Sequence, residues 1–436
     1  MTTIQRLALA ALLACMAVGA SAATLGDING DSTVNVTDVT ALINKILGSA
    51  SYDDTVCDVN HDGAINVTDA TSTINIILGT YEDPAEVKLV GGDISMLPRH
   101  EAAGAQYYGT AGQVTDMIAY YKSVGWNAMR VRLFVDPSKA PTSQQREGVV
   151  QDLAYVKALG RRIKQAGLKL VIDFHYSDTW ADPSAQTMPS RWSSLTDPSQ
   201  IADSVEAYTR QSLQALVAAG ATPDYVQVGN EVTYGMLWPT GHCWPGGGNP
   251  DGGSWNNFAR YLNAGSKAVR QVCPQAKVIV HVDLGSMSNA TDFYATAKAH
   301  NVDYDIIGLS YYPAYHGTIP TLSAELSRLE HDYAEKPIML MELGYSYAWA
   351  MGGTKYNLTN TYPYTEAGQA SLVDDLVTNL TTQHAGVKGV FWWWPEHNEY
   401  GNSGTQVTTS WWNASLVDSR TGHIEQATYE LSKFAQ

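Results

Sequence analysis

The chain has 436 residues, 44% hydrophobic and 16% charged, which is enough apolar material for a large core beneath a lightly charged surface. A formal net charge of −16 excludes nucleic acid and anionic membrane as partners, since both are recognised through basic patches. The 12 Trp and 25 Tyr outnumber the 6 Phe, a bias towards aromatics with polar handles that suits wet aromatic surfaces.

Residues 1–22 read as a signal peptide. Arg6 supplies the positive region, Leu7 to Val18 the apolar run, and Ala20-Ser21-Ala22 the small-x-small cleavage site. Cleavage near Ala22 predicts a secreted or periplasmic protein. A lipoprotein acylated at Cys15 is the competing reading, disfavoured by the short apolar stretch before it. No other run is long enough for a membrane span. Cys57, Cys243 and Cys273 remain after cleavage. Their odd number and wide spacing are not a disulfide framework, and a Cys243–Cys273 bridge stays open.

Residues 24–80 hold an internal repeat. Asp27-Ile-Asn-Gly-Asp-Ser-Thr-Val-Asn-Val-Thr-Asp38 returns 31 residues later as Asp58-Val-Asn-His-Asp-Gly-Ala-Ile-Asn-Val-Thr-Asp69. Each copy runs into an amphipathic helix, with Val39, Leu42, Ile43, Ile46 and Leu47 in the first and Ala70, Ile74, Ile77 and Leu78 in the second. Gly48 and Gly79 close them. The segment carries 8 acids and one Lys, so a unit this small needs cations to offset self-repulsion. Residues 81–87 read as a linker.

From residue 88 to 436 the text alternates. Helices predicted over 113–124, 150–166 and 201–219 stop at Gly125, Gly167 and Gly220 and lead to strands 127–134, 168–174 and 225–229. Further strands fall near 277–282, 305–310, 338–343 and 387–392, with a first near 88–92. Eight strands interleaved with helices predict an α/β fold, a (β/α)8 TIM barrel. An open doubly wound sheet is the rival, but no Gly-rich phosphate turn follows the first strand.

Functional groups in such a barrel sit at the C-terminal ends of strands. Glu231, after Tyr-Val-Gln-Val-Gly-Asn, ends the fourth strand, and Glu342, after Ile-Met-Leu-Met, ends the seventh. A carboxylate ending an apolar strand is costly unless paired or employed. Pairing with Arg130 or Arg132 would explain one such residue. Two facing the same barrel mouth suit glycoside hydrolysis, where one carboxyl protonates the leaving oxygen and the other attacks or stabilises the oxocarbenium-like centre.

The strand-end text resembles glycoside hydrolase family 53, the arabinogalactan endo-β-1,4-galactanases, over roughly residues 88–436. It includes Gly-Gly-Asp93-Ile-Ser, Arg130-Val-Arg132-Leu-Phe, Asp173-Phe-His175-Tyr-Ser-Asp178-Thr-Trp180, Gly-Asn230-Glu231-Val-Thr-Tyr-Gly-Met-Leu-Trp238-Pro, Ser310-Tyr311-Tyr312-Pro and Met-Glu342-Leu-Gly-Tyr345. The resemblance implies a retaining enzyme with Glu231 as acid/base and Glu342 as nucleophile, acting on β-1,4-galactan of pectic arabinogalactan. Asn230 would bond the sugar 2-hydroxyl. Arg130 or Arg132 would keep Glu342 ionised, and Tyr311 or Tyr312 would donate to it, with strand alternation favouring Tyr312. Asp93 and His175 would touch sugar, and Trp180, Trp238 and Trp393 would stack on it. The eighth strand departs from the family's Tyr-Trp-Glu-Pro with Trp392-Trp393-Trp394-Pro395, and Tyr315 stands where a Trp is usual. Mannanase or glucanase activity, or a non-catalytic galactan-binding barrel, are the alternatives; both glutamates being present speaks against the last.

The repeats resemble the duplicated calcium loops of dockerins, an α-helical module. The ligands implied are Asp27, Asn29, Asp31, the Thr33 carbonyl, Asn35 and Asp38, then Asp58, Asn60, Asp62, the Ala64 carbonyl, Asn66 and Asp69. Ser32 occupies the position where Gly suits the sharp turn, so the first loop is expected to bind more weakly. The resemblance implies Ca2+ in the module and a cohesin-type or cell-surface partner for it, with a calcium-stapled spacer as the alternative. The chemistry itself calls for no cofactor.

Overall fold

The computed structural model describes residues 24–60, 64–79, 87–244, 254–284, 290–403 and 411–436. The predicted signal segment with Cys15, the ligand Asp62, and residues 81–86 of the predicted linker lie outside them. Two compact units part between Val87 and Lys88, and each is described by itself.

In the first unit the two repeats become two loop–helix units. Helix α1 spans Val36–Ile46 and α2 spans Val67–Leu78. Asn35 and Asn66 cap them, accepting from the amides of Thr37 and Thr68, and Asp38 and Asp69 close the capping boxes. These caps satisfy amides that a helix start otherwise leaves open. A small core of Ile28, Val39, Ala41, Leu42, Cys57, Val59 and Ala70 lies between the helices. Ile43 and Ile46 on α1, Leu47 just past its end, and Ile74, Ile77 and Leu78 on α2, expected on the inner faces, are exposed instead. A core of this size has room for only the small and central side chains of each helix.

In the second unit eight parallel strands close a barrel: β1 Leu89–Asp93, β2 Ala128–Leu133, β3 Lys169–Phe174, β4 Tyr225–Val228, β5 Lys277–Asp283, β6 Ile306–Tyr311, β7 Ile338–Leu343 and β8 Val387–Trp393. β1 pairs with both β2 and β8, which removes any sheet edge. The strands are buried on both faces, as their aliphatic runs require. Helices α3 Met117–Ser123, α4 Leu153–Gln165 and α5 Pro198–Ala218 follow the first three strands. Asp116, Asp152 and Asp197 cap their starts. The expected helix over 113–124 is shorter because Tyr107–Gly109 and Gly112–Val114 pair as a hairpin, with Gly112 at φ +118°. α6 Trp255–Val272, α7 Ala290–Ala299, α8 Ile319–Asp332 and α9 Glu366–Gln383 complete the outer layer.

One irregularity positions the site. Leu309 pairs with Leu340, but the next residue, Ser310, pairs with Glu342, so β7 carries Met341 as an extra residue. Such a bulge re-aims the side chain that follows it, and here that is Glu342. Cys57, Cys243 and Cys273 are buried free thiols. No helix among the described residues is long and apolar enough to cross a membrane.

Candidate active site

Arg130 and Arg132 alternate along β2, so both point into the barrel. Both are fully buried. Arg130 reaches Asp93 at 3.0 Å, Asp173 at 2.8 Å, the Asn230 Oδ1 at 2.7 Å and Glu342 Oε1 at 3.2 Å. Arg132 spends Nη1 on Asp93 at 2.7 Å, and its Nε and Nη2 have no hydrogen-bond partner among the described residues. Aromatic faces surround it instead, with Trp393 at 4.7 Å, Trp180 at 5.0 Å and Trp394 at 5.5 Å from the guanidinium carbon. Each such contact contributes about 0.5–2 kcal/mol. Of the two arginines that could have met Glu342, Arg130 does.

Asp93 and Asp173 offset the two guanidinium charges, so an ionised Glu342 is one negative charge beyond balance. Burial raises the Glu342 pKa, while Arg130 and the Tyr312 hydroxyl pull it back. Tyr312 donates to Oε2 at 2.7 Å, whereas Tyr311 turns away to the Gly317 carbonyl at 3.0 Å.

Glu231 lies two residues beyond Gly229, past the end of β4. Its φ is +43°, a left-handed conformation that costs a non-glycine residue about 1–2 kcal/mol. Gln186 supports this turn, its Nε2 donating to the carbonyls of Asn230 at 2.7 Å and Glu231 at 3.3 Å. The Ser310 hydroxyl donates to Glu231 Oε1 at 2.7 Å. Burial raises the Glu231 pKa well above the carboxylate range, and the charges of Glu342 and Asp283 add to it; only the Ser310 bond opposes. The two carboxyls are therefore unequal. Glu342 has a cation and a phenol to hold it ionised, and Glu231 has one hydroxyl, so Glu231 keeps a proton longer.

Glu231 and Glu342 line one open cavity of about 470 Å³. Asn230, Asp283, Tyr312, Trp180, Trp393, Trp394, Tyr315 and Trp411 share it. Asn230 Oδ1 is held by Arg130 and Gln227, and its Nδ2 donates to the Ala181 carbonyl at 2.8 Å. An amide nitrogen carries two hydrogens, so a second remains for a bound hydroxyl. Asp93 and His175, expected to touch sugar, lie one layer below the cavity, as do Arg130 and Arg132. His175 binds Asp173 at 3.0 Å and accepts the Ala181 amide at 3.1 Å, and so supports rather than contacts. Trp238 is also absent from the lining. It packs on His242, ring centroids 4.3 Å apart, with its indole nitrogen on the Tyr234 carbonyl. Sequence reasoning missed Trp411, which packs on Tyr312 at 5.1 Å. Its only signal was the Trp surplus, because it sits in a loop without periodicity. Asp283 and Ser310 also had no assigned task, although each stands at or near the end of its strand.

In the first unit the loop oxygens turn inward. Asp27 accepts the amides of Asp31 and Ser32, and the fully buried Asp38 accepts those of Asn29 and Asn35. Asp69 is equally buried and accepts those of Asn60 and Asn66. Ser32 adopts φ +68°, the conformation in which a Gly was wanted. The described donors are all hard oxygens, the chemistry that suits Ca2+. Among the described residues no group of three or more His, Cys, Asp or Glu side chains is gathered as a metal cluster.

The model of the family described as "Glycosyl hydrolase family 53" matches residues 89–429, and that of the "Dockerin type I domain" matches residues 25–78. An endo-beta-1,4-galactanase of Bacillus subtilis (strain 168) is 32% identical over 70% of this chain and 70% of its own length. A probable arabinogalactan endo-beta-1,4-galactanase A of Neosartorya fischeri is 30% identical over 80% of this chain and 94% of its own. Among solved structures, the Ignisphaera aggregans GH53 catalytic domain superposes with a TM-score of 0.69 at 28% identity, covering 80% of this chain and 96% of that one.

Proposed function

From the premise that the chain belongs to glycosyl hydrolase family 53, and is a glycoside hydrolase carrying a dockerin type I domain, we propose that it cleaves internal β-1,4-galactosidic bonds of galactan with retention of anomeric configuration. The observation that carries this is the unequal pair of carboxyls in one cavity, Glu342 held by Arg130 and Tyr312, and Glu231 held by Ser310. The galactanase relatives support the substrate.

The ionised Glu342 attacks the anomeric carbon while Glu231 passes its proton to the departing glycosidic oxygen. The carbon–oxygen bond of the chain breaks as the bond to Glu342 forms. Glu342 thereby loses its charge and Glu231 gains one, so the pair never carries two charges at once. Glu231 then takes a proton from water, which attacks the same carbon and releases Glu342. Arg130 stabilises the charge on Glu342 at the start and end of the cycle. Trp180 and Trp393 flank the cavity as stacking surfaces for sugar rings.

The chain is exported by residues 1–22, and the module of residues 24–80 binds Ca2+ through Asp27, Asn29, Asp31, Thr33, Asn35 and Asp38 and their repeat counterparts. The apolar side chains exposed on its helices, Val36, Leu47, Val67 and Leu78 among them, support docking to a cohesin-type partner. The deciding experiment compares reducing ends released from β-1,4-galactan, mannan and carboxymethylcellulose, with NMR of the first-formed anomer. Release from galactan as the β-anomer is expected. No release from galactan, or an inverted product, overturns the proposal.

A further inference from the structure

Ser310 and His281 are both fully buried and absent from the cavity lining, so neither is positioned to touch substrate. They are nevertheless linked to Glu231 in two ways. The Ser310 hydroxyl lies 2.7 Å from Glu231 Oε1, and His281 Nε2 lies 2.8 Å from that hydroxyl. His281 Nδ1 lies 3.0 Å from the Gln227 amide nitrogen, 3.2 Å from the Asn230 Oδ1 and 3.4 Å from the Glu231 backbone nitrogen.

Counting protons sets the direction of each bond. A hydroxyl has one proton, and here it goes to Glu231. Ser310 must therefore accept from His281, which puts the imidazole proton on Nε2. Nδ1 is then bare and accepts from the Gln227 amide and the Glu231 N–H, both of which are donors. This tautomer leaves Nδ1 facing the Asn230 Oδ1 without a shared proton, and that oxygen takes its protons from Arg130 and Gln227 instead.

Resting on the reading of Glu231 as the acid/base, we propose that His281 and Ser310 are its positioning residues: a neutral imidazole on β5 orients a hydroxyl on β6, which fixes one carboxyl oxygen and stabilises the carboxylate left when the proton departs. The same ring steadies the left-handed backbone of Glu231 through its amide, so one residue governs both the placement of the carboxyl and its hydrogen-bond partner.

The surroundings support this division of labour. Glu342 on β7, Asp283 on β5 and Asp182 after β3 all act on Glu231 and, with burial, favour its protonated form. Ser310 is the counterweight on the ionised side. Burial keeps His281 neutral, and Arg130 on β2 and His175 after β3 reinforce this against Asp173 on β3. A charged His281 would carry a proton on Nδ1 as well and could no longer accept from Gln227 and Glu231.

The test is kcat/KM on β-1,4-galactan against pH for the full chain and its Ser310→Ala, Ser310→Thr and Glu231→Gln variants, with thermal melts of each. Loss of the hydroxyl removes support for the carboxylate, so the Ser310→Ala basic limb is expected to move up by about one pH unit and kcat to fall about tenfold. Ser310→Thr, which keeps the hydroxyl, is expected to retain the limb. A Ser310→Ala profile that superimposes on the unaltered one, or a fall in melting temperature with the limb unmoved, overturns the inference. Wild-type turnover by Glu231→Gln defeats instead the reading on which it rests.

Discussion

The first unit and the barrel bury apolar surface on very different scales. The barrel's core runs unbroken from Val90 to Phe434, and its strands are sealed on both faces. The first unit gathers Ile28, Val39, Ala41, Leu42, Cys57, Val59 and Ala70, while Val36, Ile43, Leu47, Val67, Ile74 and Leu78 stay in water. Its buried charges differ too. Asp38 and Asp69 are fully buried with backbone amides as partners, whereas the barrel's Asp93 and Asp173 face guanidinium groups. The proposed Ca2+ would give the carboxylates of the first loop the cation that Asp93 and Asp173 find in the barrel's own arginines.

The largest effect expected tests the barrel's site. Glu342→Gln should lower kcat on galactan by about 10³-fold or more, with the melting temperature of the barrel nearly unchanged. Activity within tenfold of the unaltered chain would remove Glu342 as nucleophile. Chelation sharpens the contrast between units. With EDTA, the helical signal of residues 24–80 should be lost at 25 °C, while galactan hydrolysis persists. A module that keeps its melting transition in EDTA would refute the calcium assignment.

Two substitutions probe the barrel's buried acids. Tyr312→Phe removes a donor to the ionised Glu342, so its pKa rises further and the acidic limb of the pH–rate profile should move to higher pH, with kcat/KM down about tenfold. A limb that stays put would show that Tyr312 does not support the charge. Glu396 is fully buried, and burial followed by the charge of Asp93 pushes its pKa up to about 8. A raised pKa contributes stability that is complete below the unfolded value and is lost as pH rises through about 8. Glu396→Gln should therefore flatten the fall in melting temperature between pH 5 and pH 9, by about a few degrees at the alkaline end. The smallest effect belongs to the module. Ser32→Gly relieves the left-handed strain at φ +68° and should stabilise the Ca2+-bound form by about 0.5–1 kcal/mol, read from its melting curve.

The barrel was legible because its strands are aliphatic runs of four to seven residues spaced by capped helices, a pattern few folds share. Misread elements lay where long-range pairing overrode local preference. Residues 112–114 join a hairpin because Tyr108 exchanges backbone bonds with Gly422 and Ile424, contacts no window near residue 113 contains. The inner faces of α1 and α2 were misjudged for a related reason. Periodicity finds the apolar side of a helix but not how much neighbouring surface exists to cover it.

Read alone, the amino-acid order established the repeated loops, the eight strands and the two glutamates at strand ends, since each depends on spacing along one segment. The folded chain decided which arginine meets Glu342, which tyrosine donates to it, and that Asp93 and His175 lie beneath the cavity rather than in it. Those outcomes turn on the Met341 bulge and on alternation around a closed barrel. A shift of one residue sends a side chain to the opposite face, and only packing among all eight strands selects the register.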